Sequence, residues 1–198
     1  MTNRKKENAR ILSQEEIASG IFSLWLKTEA AGQAKPGQFI SMYTNDGSRL
    51  LPRPISICEI DREREALRVV YRVTGPGTGT ELFSQMKAGG RIPVIGPLGN
   101  GFPLERAEGK RVFLIGGGIG VPPILELAKQ LKCEKKQIVA GYRDKETFLR
   151  NEFEQNGELF IATEDGSVGT RGNVMDAIRE NGLRADVIYA CGPTPMLR

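Results

Sequence analysis

The second half of the chain alternates apolar runs with amphipathic runs, and this alternation constrains the fold more than any other feature. The apolar runs "RVFLIGGG", "KQIVAGYR", "LFIATEDG" and "DVIYACGP" are separated by helical patterns at "PPILELAKQL", "ETFLRNEFEQ" and "NVMDAIREN". Apolar strands in strict alternation with helices predict a parallel sheet that is covered on both faces.

The first half follows a different rhythm, with short and closely spaced strands. Gly, Pro, Asn and Asp punctuate alternating or apolar runs at 20–29, 37–44, 54–61, 66–74 and 91–99. One helical pattern interrupts them, at 78–90, and it ends in two glycines that suit a C-cap. These features predict a two-domain protein: an N-terminal antiparallel β-barrel at 1–104 and a C-terminal α/β parallel-sheet domain at 105–198.

Composition and charge narrow the classes of function. With 39% hydrophobic and 26% charged residues, the 198-residue chain has an ordinary globular composition and room for two domains. The net charge of +4 owes much to "NRKKENAR" at 3–10, which we interpret as a solvated N-terminal edge without a base-reading pattern. We therefore expect no nucleic-acid partner. Because the chain also lacks a long apolar run and a signal core, we expect no membrane association and a cytoplasmic location.

Cysteine and histidine usage limits the chemistry. The three cysteines, Cys58, Cys133 and Cys191, are widely scattered and form no CxxC or metal-spaced cluster, so they predict reduced thiols and no metal site. Histidine is absent, which removes the commonest general base and metal ligand. An enzyme built this way would need a borrowed organic cofactor.

A glycine-rich turn lies between the first apolar run of the second half and the helix after it. In "FLIGGGIGVPPI", Gly116, Gly117, Gly118 and Gly120 allow close approach to a pyrophosphate at the helix start. The alternative is a tight turn without a ligand.

Two further strand ends lie at the same predicted edge. Thr163, Glu164 and Asp165 follow the third strand, where carboxylates would accept bonds from ribose hydroxyls and repel a 2'-phosphate. They favour NAD(H) over NADP(H), although a solvated acidic turn is the alternative. "CGP", residues 191–193, ends the fourth strand, and Cys191 there is either a packing residue or part of the chemistry.

The segments "LPRPISI" (51–57) and "VYRVTGPGTGTEL" (70–82) bring arginines and a glycine turn into the barrel domain. Arg53 and Arg72 with a helix start could form a second anion site. A structural turn with two surface arginines is the alternative.

Together these motifs resemble the ferredoxin-NADP reductase superfamily, because "RPISI", a Gly-Thr helix start, "GGGIG" and "CGP" occur in that order. More narrowly, "PGQFI", "YRVTGPGT", "GPLGNGF", "ATEDGSVGTRGNV" and "YACGPTPML" resemble the electron-transfer subunit of class 1B dihydroorotate dehydrogenase. That resemblance implies FAD, NAD(H), a [2Fe-2S] cluster, a role in pyrimidine biosynthesis and an FMN-containing catalytic subunit as partner, in a heterotetramer with two of each subunit.

The resemblance also implies roles for individual residues. Ser56 would sit at the reactive edge of the isoalloxazine, Cys191 would approach the nicotinamide, and Arg53 would bind the FAD phosphates. The implied cofactor-binding residues are Arg53, Pro54, Ile55, Ser56, Val70, Tyr71, Arg72, Gly77 and Thr78 for FAD, and Gly116, Gly117, Gly118, Gly120, Thr163, Glu164, Asp165, Gly192 and Pro193 for NAD.

The chain departs from this family in one respect. The family holds its cluster with four cysteines near the C-terminus in a C-x4-C-x2-C run and one more, and none of them is present. We expect the chain to be a fragment that lacks the iron-sulfur lobe; the alternative is that the lobe is supplied elsewhere or has been lost. Alternative functions are a reductase subunit for ferredoxin or for an electron-bifurcating transhydrogenase, and a nucleotide-binding module without redox activity.

Overall fold

The fold has two parts, a barrel and a parallel sheet. A computed structural model describes residues 6–44, 47 and 50–197. The chain divides into two compact units, Met1–Gly101 and Phe102–Arg198, whereas the sequence pattern places the division after residue 104. The first unit is a closed antiparallel barrel and the second contains a five-stranded parallel sheet, which confirms the predicted fold class.

The barrel is closed by six strands in the spatial order β1-β2-β5-β4-β3-β6. The strands are β1 (Lys6–Ala18), β2 (Ile21–Lys27), β3 (Phe39–Met42), β4 (Arg53–Asp61), β5 (Ala66–Arg72) and β6 (Arg91–Leu98). A short helix, α1 (Gly79–Ser84), follows β5, and its Phe83 is fully buried in the barrel core. Alternate residues of the strands form that core, so the opposite side chains are left on the outer face.

The longest strand, β1, is not predicted by the sequence pattern, and neither is the two-residue strand at Thr170–Arg171. The register of β1 shifts between Ile11 and Ser13 and again between Glu16 and Ala18, which breaks the simple alternation expected of a strand. Residues 6–10 of the basic run pair with β6 and close the barrel, although Lys6 and Arg10 have exposed side chains. The interpretation of this run as a solvated edge is therefore wrong for its backbone, and residues 3–5 lie outside the described part of the chain.

The second unit is a parallel sheet in the order β10-β9-β8-β7-β11. Its strands are β7 (Arg111–Gly117), β8 (Lys135–Tyr142), β9 (Glu158–Thr163), β10 (Thr170–Arg171) and β11 (Val187–Cys191). Its helices are α2 (Pro122–Gln130), α3 (Arg150–Glu154) and α4 (Val174–Glu180), and a 3-10 turn at Gly118–Gly120 separates β7 from α2. Because all five strands run in the same direction, their carboxyl ends form one edge.

Two of the helices begin with residues suited to a first turn, whereas α3 begins at Arg150, four residues after the start of its predicted helical pattern. Pro122 and Pro123 occupy the first turn of α2, where no N–H is needed. Asn173 caps α4, and the Asp176 carboxylate returns a bond to the Asn173 N–H in a capping box. None of the helices in the described ranges combines the length and the hydropathy required to cross a membrane.

Candidate functional site

The predicted flavin residues divide between the two faces of β4 and β5. Ile57 pairs with Val69, and both belong to the barrel core. Ser56 precedes that pair on β4 and Val70 follows it on β5, so alternation puts both side chains on the outer face of neighbouring strands. Two residues further from the pair, Pro54 and Arg72 extend the same face. The result is a patch made of Pro54, Ser56, Val70 and Arg72, which we call the outer patch.

Two other predicted residues of this group, Ile55 and Tyr71, face the opposite way. Ile55 packs against the barrel core, and the ring of Tyr71 is buried in it, stacked on Phe22 with centroids 5.9 Å apart. Burial raises the pKa of the Tyr71 hydroxyl. Tyr71 could therefore meet a ligand on the outer face only through its backbone.

Arg53 lies at the entrance of β4 and packs on α1. A Cβ added at Gly79 would lie 3.2 Å from Arg53 Nε and 3.3 Å from Thr44 Cγ2, so a glycine is what lets the guanidinium lie across the start of the helix. Arg53 Nη1 donates to the Leu51 carbonyl at 2.9 Å. Its other N–H groups bond to none of the described residues, so this half-buried cation can still receive an anion. Gly79 was not among the predicted residues, although "GTGTEL" contained the signal.

The turn before α1 is already hydrogen-bonded within the chain. The Gly77 N–H donates to the Glu81 carboxylate at 2.6 Å. The Thr78 hydroxyl donates to the Gly75 carbonyl at 2.8 Å and accepts from the Glu81 N–H at 3.3 Å. A phosphate at Gly77 or Thr78 would have to compete with these bonds, and Arg53 is the stronger anion-binding group of the three.

In the second unit, the glycine-rich turn and Cys191 lie side by side at the carboxyl edge. β11 pairs with β7 so that Cys191 is opposite Gly116. A Cβ on Gly120 would lie 2.6 Å from the Cys191 carbonyl carbon, and one on Gly116 would lie 2.8 Å from Val121 Cα. The structure thus brings the predicted turn and the predicted thiol together.

The segment after Cys191 packs against the same turn. Met196 lies where side chains on Gly117 and Gly192 would be, and Pro193 Cδ is 3.6 Å from the position of a Gly117 Cβ. The backbone of Cys191 and Gly192 therefore requires glycine at Gly120 whether or not a nucleotide binds, whereas the neighbour of Gly117 and Gly192 is the end of the flexible Met196 side chain, which can move. Of the glycines predicted to bind the nucleotide in the second unit, Gly118 alone combines a positive φ, 53°, with partial exposure.

The Cys191 thiol is partly buried, and this desolvation raises its pKa. The side chain is therefore a neutral thiol at neutral pH, which makes it a poor nucleophile but a compact neighbour for an uncharged ring.

The acidic turn after β9 divides into a buried and an exposed part. Thr163 is fully buried, and its hydroxyl donates to the Val168 carbonyl at 2.8 Å and accepts from the Val168 N–H at 3.1 Å. Glu164 and Asp165 are exposed, and hydrogen bonds from Ser167 lower the pKa of Asp165. Thr163 shapes the loop, and the carboxylates of Glu164 and Asp165 are the exposed acceptors of this turn.

The described residues contain no group of three or more His, Cys, Asp or Glu side chains that could hold a metal ion. Cys58 is buried in β4, while Cys133 and Cys191 are partly exposed and belong to different strands and connections. A [2Fe-2S] cluster needs four local thiolates or their equivalents, so the residues of this chain do not fit one.

Sequence comparison gives many related proteins, although no family model matches the chain. This chain is 45% identical over 201 residues to the dihydroorotate dehydrogenase B (NAD(+)) electron transfer subunit of Geobacillus sp. (strain WCH70). The alignment covers 98% of this chain and 77% of that protein. The same-named subunit of Streptococcus mutans serotype c is 42% identical, with 98% of this chain and 76% of that protein covered.

Solved structures agree with the fold. An NADH-dependent reduced ferredoxin-NADP oxidoreductase studied for flavin-based electron bifurcation superposes with a TM-score of 0.84 and 29% identity, over 96% of this chain and 69% of that one. A ferredoxin NADP+ reductase from Neisseria gonorrhoeae superposes with a TM-score of 0.77 and 17% identity, over 94% and 84%, and shares the fold. By its sequence relatives, the chain belongs to the family of dihydroorotate dehydrogenase B electron transfer subunits.

Proposed function

We propose that this chain binds FAD on the outer patch of its barrel and NAD(H) at the carboxyl edge of its parallel sheet. It then passes electrons between NAD(H) and an FMN-containing dihydroorotate dehydrogenase catalytic subunit. The electron-transfer role itself follows from the family. The observation that supports the flavin assignment is that Pro54, Ser56, Val70 and Arg72 share one face of two neighbouring strands.

The barrel residues would hold and orient the flavin. The guanidinium of Arg53 would take the phosphates, because its remaining N–H groups can make charge-assisted bonds. On the outer patch, Val70 is only 3% exposed and would meet a ring mainly through its backbone. The Ser56 hydroxyl offers one donor and two acceptor positions to the reacting edge.

The sheet residues would hold the nucleotide. Gly116, Gly117, Gly118 and Gly120 would allow its pyrophosphate to approach the turn before α2, and Gly192 and Pro193 would line the same edge next to Cys191. Glu164 and Asp165 would accept bonds from the ribose hydroxyls and disfavour a 2'-phosphate.

FAD and NAD(H), when bound, supply the hydride chemistry. The chain contains no histidine, and hydride transfer between stacked rings needs position and desolvation instead of a general base. Cys191, with its neutral thiol, would exclude water and fix the nicotinamide without adding charge. No step is assigned to an iron-sulfur cluster, since the residues present do not fit one.

The partner would be the catalytic subunit whose name the relatives share, in a heterotetramer with two subunits of each kind. Protein isolated under gentle conditions should be yellow, should lose the flavin absorbance when NADH is added without oxygen, and should capture an FMN-containing dihydroorotate dehydrogenase. Colourless protein that takes up no FAD on reconstitution would contradict the proposal.

A second candidate is a reductase subunit that serves ferredoxin or an electron-bifurcating transhydrogenase. It is favoured by the superposition on the bifurcating oxidoreductase, which has a TM-score of 0.84 and 29% identity. Identification of the co-purified large subunit distinguishes the two candidates. Bound flavin that NADH leaves fully oxidised would instead indicate a module without redox activity.

A further inference from the structure

Gln14, in the middle of β1, makes four hydrogen bonds with its side-chain amide. Its Nε2 donates to the carbonyls of Phe83 at 3.0 Å, Ser84 at 3.1 Å and Met86 at 2.8 Å. Its Oε1 accepts from the Tyr71 hydroxyl at 3.0 Å. A single strand residue therefore joins the end of α1 to the interior of the barrel.

The three carbonyls lie in the last turn of α1 and just after it, where helical partners run out. A side chain that lies 69 to 72 residues away in the sequence adds to the local cap, in which the Gln85 and Met86 N–H groups also donate to the Phe83 carbonyl. Because Oε1 is engaged by the hydroxyl of Tyr71, the amide is fixed with its donors toward the helix. Tyr71 is itself buried and in edge contact with Phe83, at 6.1 Å between centroids.

The opposite end of α1 supports Arg53. The helix has six residues, so its two ends move together, and the guanidinium of Arg53 lies against its first residue, Gly79. A shift of α1 along or away from the barrel would move Gly79 and displace Arg53 from the place where it is held.

We propose that Gln14 is a positioning residue for flavin binding: by holding the last turn of α1 it fixes Gly79, and through Gly79 it fixes the guanidinium of Arg53. The inference rests on the proposed function, because it takes FAD phosphates as the anion that Arg53 binds. It assigns a role in cofactor affinity to a residue outside the set proposed to bind FAD.

The test is a double-mutant cycle on FAD affinity. The FAD dissociation constant is measured by reconstitution of the flavin-free full chain, for wild type, Gln14→Leu, Arg53→Ala and the double variant. We expect Gln14→Leu to weaken FAD binding about tenfold when Arg53 is present. In the Arg53→Ala background the same change should alter the dissociation constant less than about twofold, since coupled residues are not additive.

A control separates positioning from general stability. Leu67 is a fully buried core residue at the other end of β5, opposite Leu26 and Ile60. Leu67→Ala should lower the melting temperature and leave the FAD dissociation constant of the folded protein within about twofold of wild type.

Each outcome decides between these possibilities. The inference would be overturned if Gln14→Leu raised the FAD dissociation constant by the same factor with and without Arg53. It would also be overturned if Gln14→Leu alone kept the wild-type FAD dissociation constant. If Gln14→Leu does not fold, Tyr71→Phe removes only the hydroxyl that orients the amide, and it must weaken FAD binding about threefold for the inference to stand. Wild-type chain that binds no FAD would refute the proposed function instead.

Discussion

Gly120 lies directly against Cys191: a side chain on Gly120 would place its Cβ 2.6 Å from the Cys191 carbonyl carbon. The contact joins the turn after β7 to the end of β11, where Cys191 is already opposite Gly116 in the sheet. Two segments that are 71 residues apart (191 − 120) thus form one unit at the carboxyl edge.

We expect Gly120→Ala to lower the free energy of unfolding of the second unit by about 1 to 3 kcal/mol, because backbone atoms cannot yield to the new methyl group as a flexible side chain would. Urea denaturation followed by far-UV circular dichroism measures this. Gly32→Ala is the matched control, since a Cβ there meets nothing within 4 Å, and it should change stability by less than about 0.5 kcal/mol. Equal effects of the two changes would refute the packing argument.

Arg53→Ala should weaken FAD binding by about 1.5 to 3 kcal/mol, the contribution of a charge-assisted bond to a phosphate. Flavin fluorescence during titration of the flavin-free protein gives the dissociation constant. Arg91→Ala is the control, because Arg91 is an exposed arginine of the same barrel and donates a 3.4 Å hydrogen bond to the Asn8 carbonyl. This change should leave the FAD dissociation constant unaltered. Unchanged flavin occupancy in Arg53→Ala would count against the assignment of the phosphate site.

Glu164→Ser combined with Asp165→Arg should shift the preference from NADH toward NADPH. The change removes two exposed carboxylates and adds a guanidinium that can pair with a 2'-phosphate. The ratio of kcat/KM for NADH and NADPH in flavin reduction is the measurement. Glu158→Ser, at the start of β9, removes a carboxylate from the opposite edge of the sheet and should leave the ratio unaltered. If the double variant keeps the wild-type ratio, the pair is a solvated turn.

Cys191→Ser should slow the reduction of bound flavin by NADH at least about tenfold, because the geometry of approach is sensitive to small displacements. Cys133→Ser serves as the control thiol and should stay within about twofold. Since burial raises the pKa of Cys191, the wild-type rate should be independent of pH between about 6 and 8. Stopped-flow absorbance measures the rate of flavin reduction in the two variants and in the wild type. A wild-type rate that followed thiol ionisation between about pH 6 and 8 would contradict a neutral role for Cys191.

Asp186 links the start of β7 to the loop before β11. It accepts from Arg111 Nε at 3.0 Å, Nη2 at 2.7 Å and the backbone N–H at 3.0 Å, which lowers its pKa to about 2. The folded pKa lies below the unfolded value of about 3.9, so the stabilisation is present above pH 4 and is lost as the pH falls toward 2. Asp186→Asn should lower the urea midpoint at pH 6, and the difference from wild type should shrink at pH 3. Glu154→Gln, which breaks a single exposed pair with Arg150, should have a smaller effect.

Much of this architecture follows from local pattern. The alternation after residue 105 and the position of Cys191 at a strand end depend on periodicity and on turn residues, which act over short distances. The two-faced arrangement of β4 and β5 follows from the same rule once the pairing of Ile57 with Val69 is known.

Other features depend on contacts between distant segments. β1 is recognisable as a strand only when β2 and β6 are in place, because its own alternation is interrupted twice. The motif "YR" does not indicate that the ring of Tyr71 faces the core. There its hydroxyl donates to Gln14 and its ring contacts Phe83. Likewise, the glycines of "GGGIG" suggest a phosphate, whereas the backbone of Cys191 by itself already requires glycine at Gly120.

The arrangement of the strands at the sheet margin has a consequence for handling the protein. β11 pairs with β7 on one side, and no described strand pairs with its other side. On one face of the same strand the Ile188 side chain is 60% exposed. A five-residue strand edge with a branched apolar side chain can accept a strand from a second molecule. The barrel, by contrast, is closed and has no free edge. At high concentration, association of the isolated chain should therefore begin at the parallel sheet, and a charged residue in place of Ile188 is the substitution to try first for keeping it dispersed.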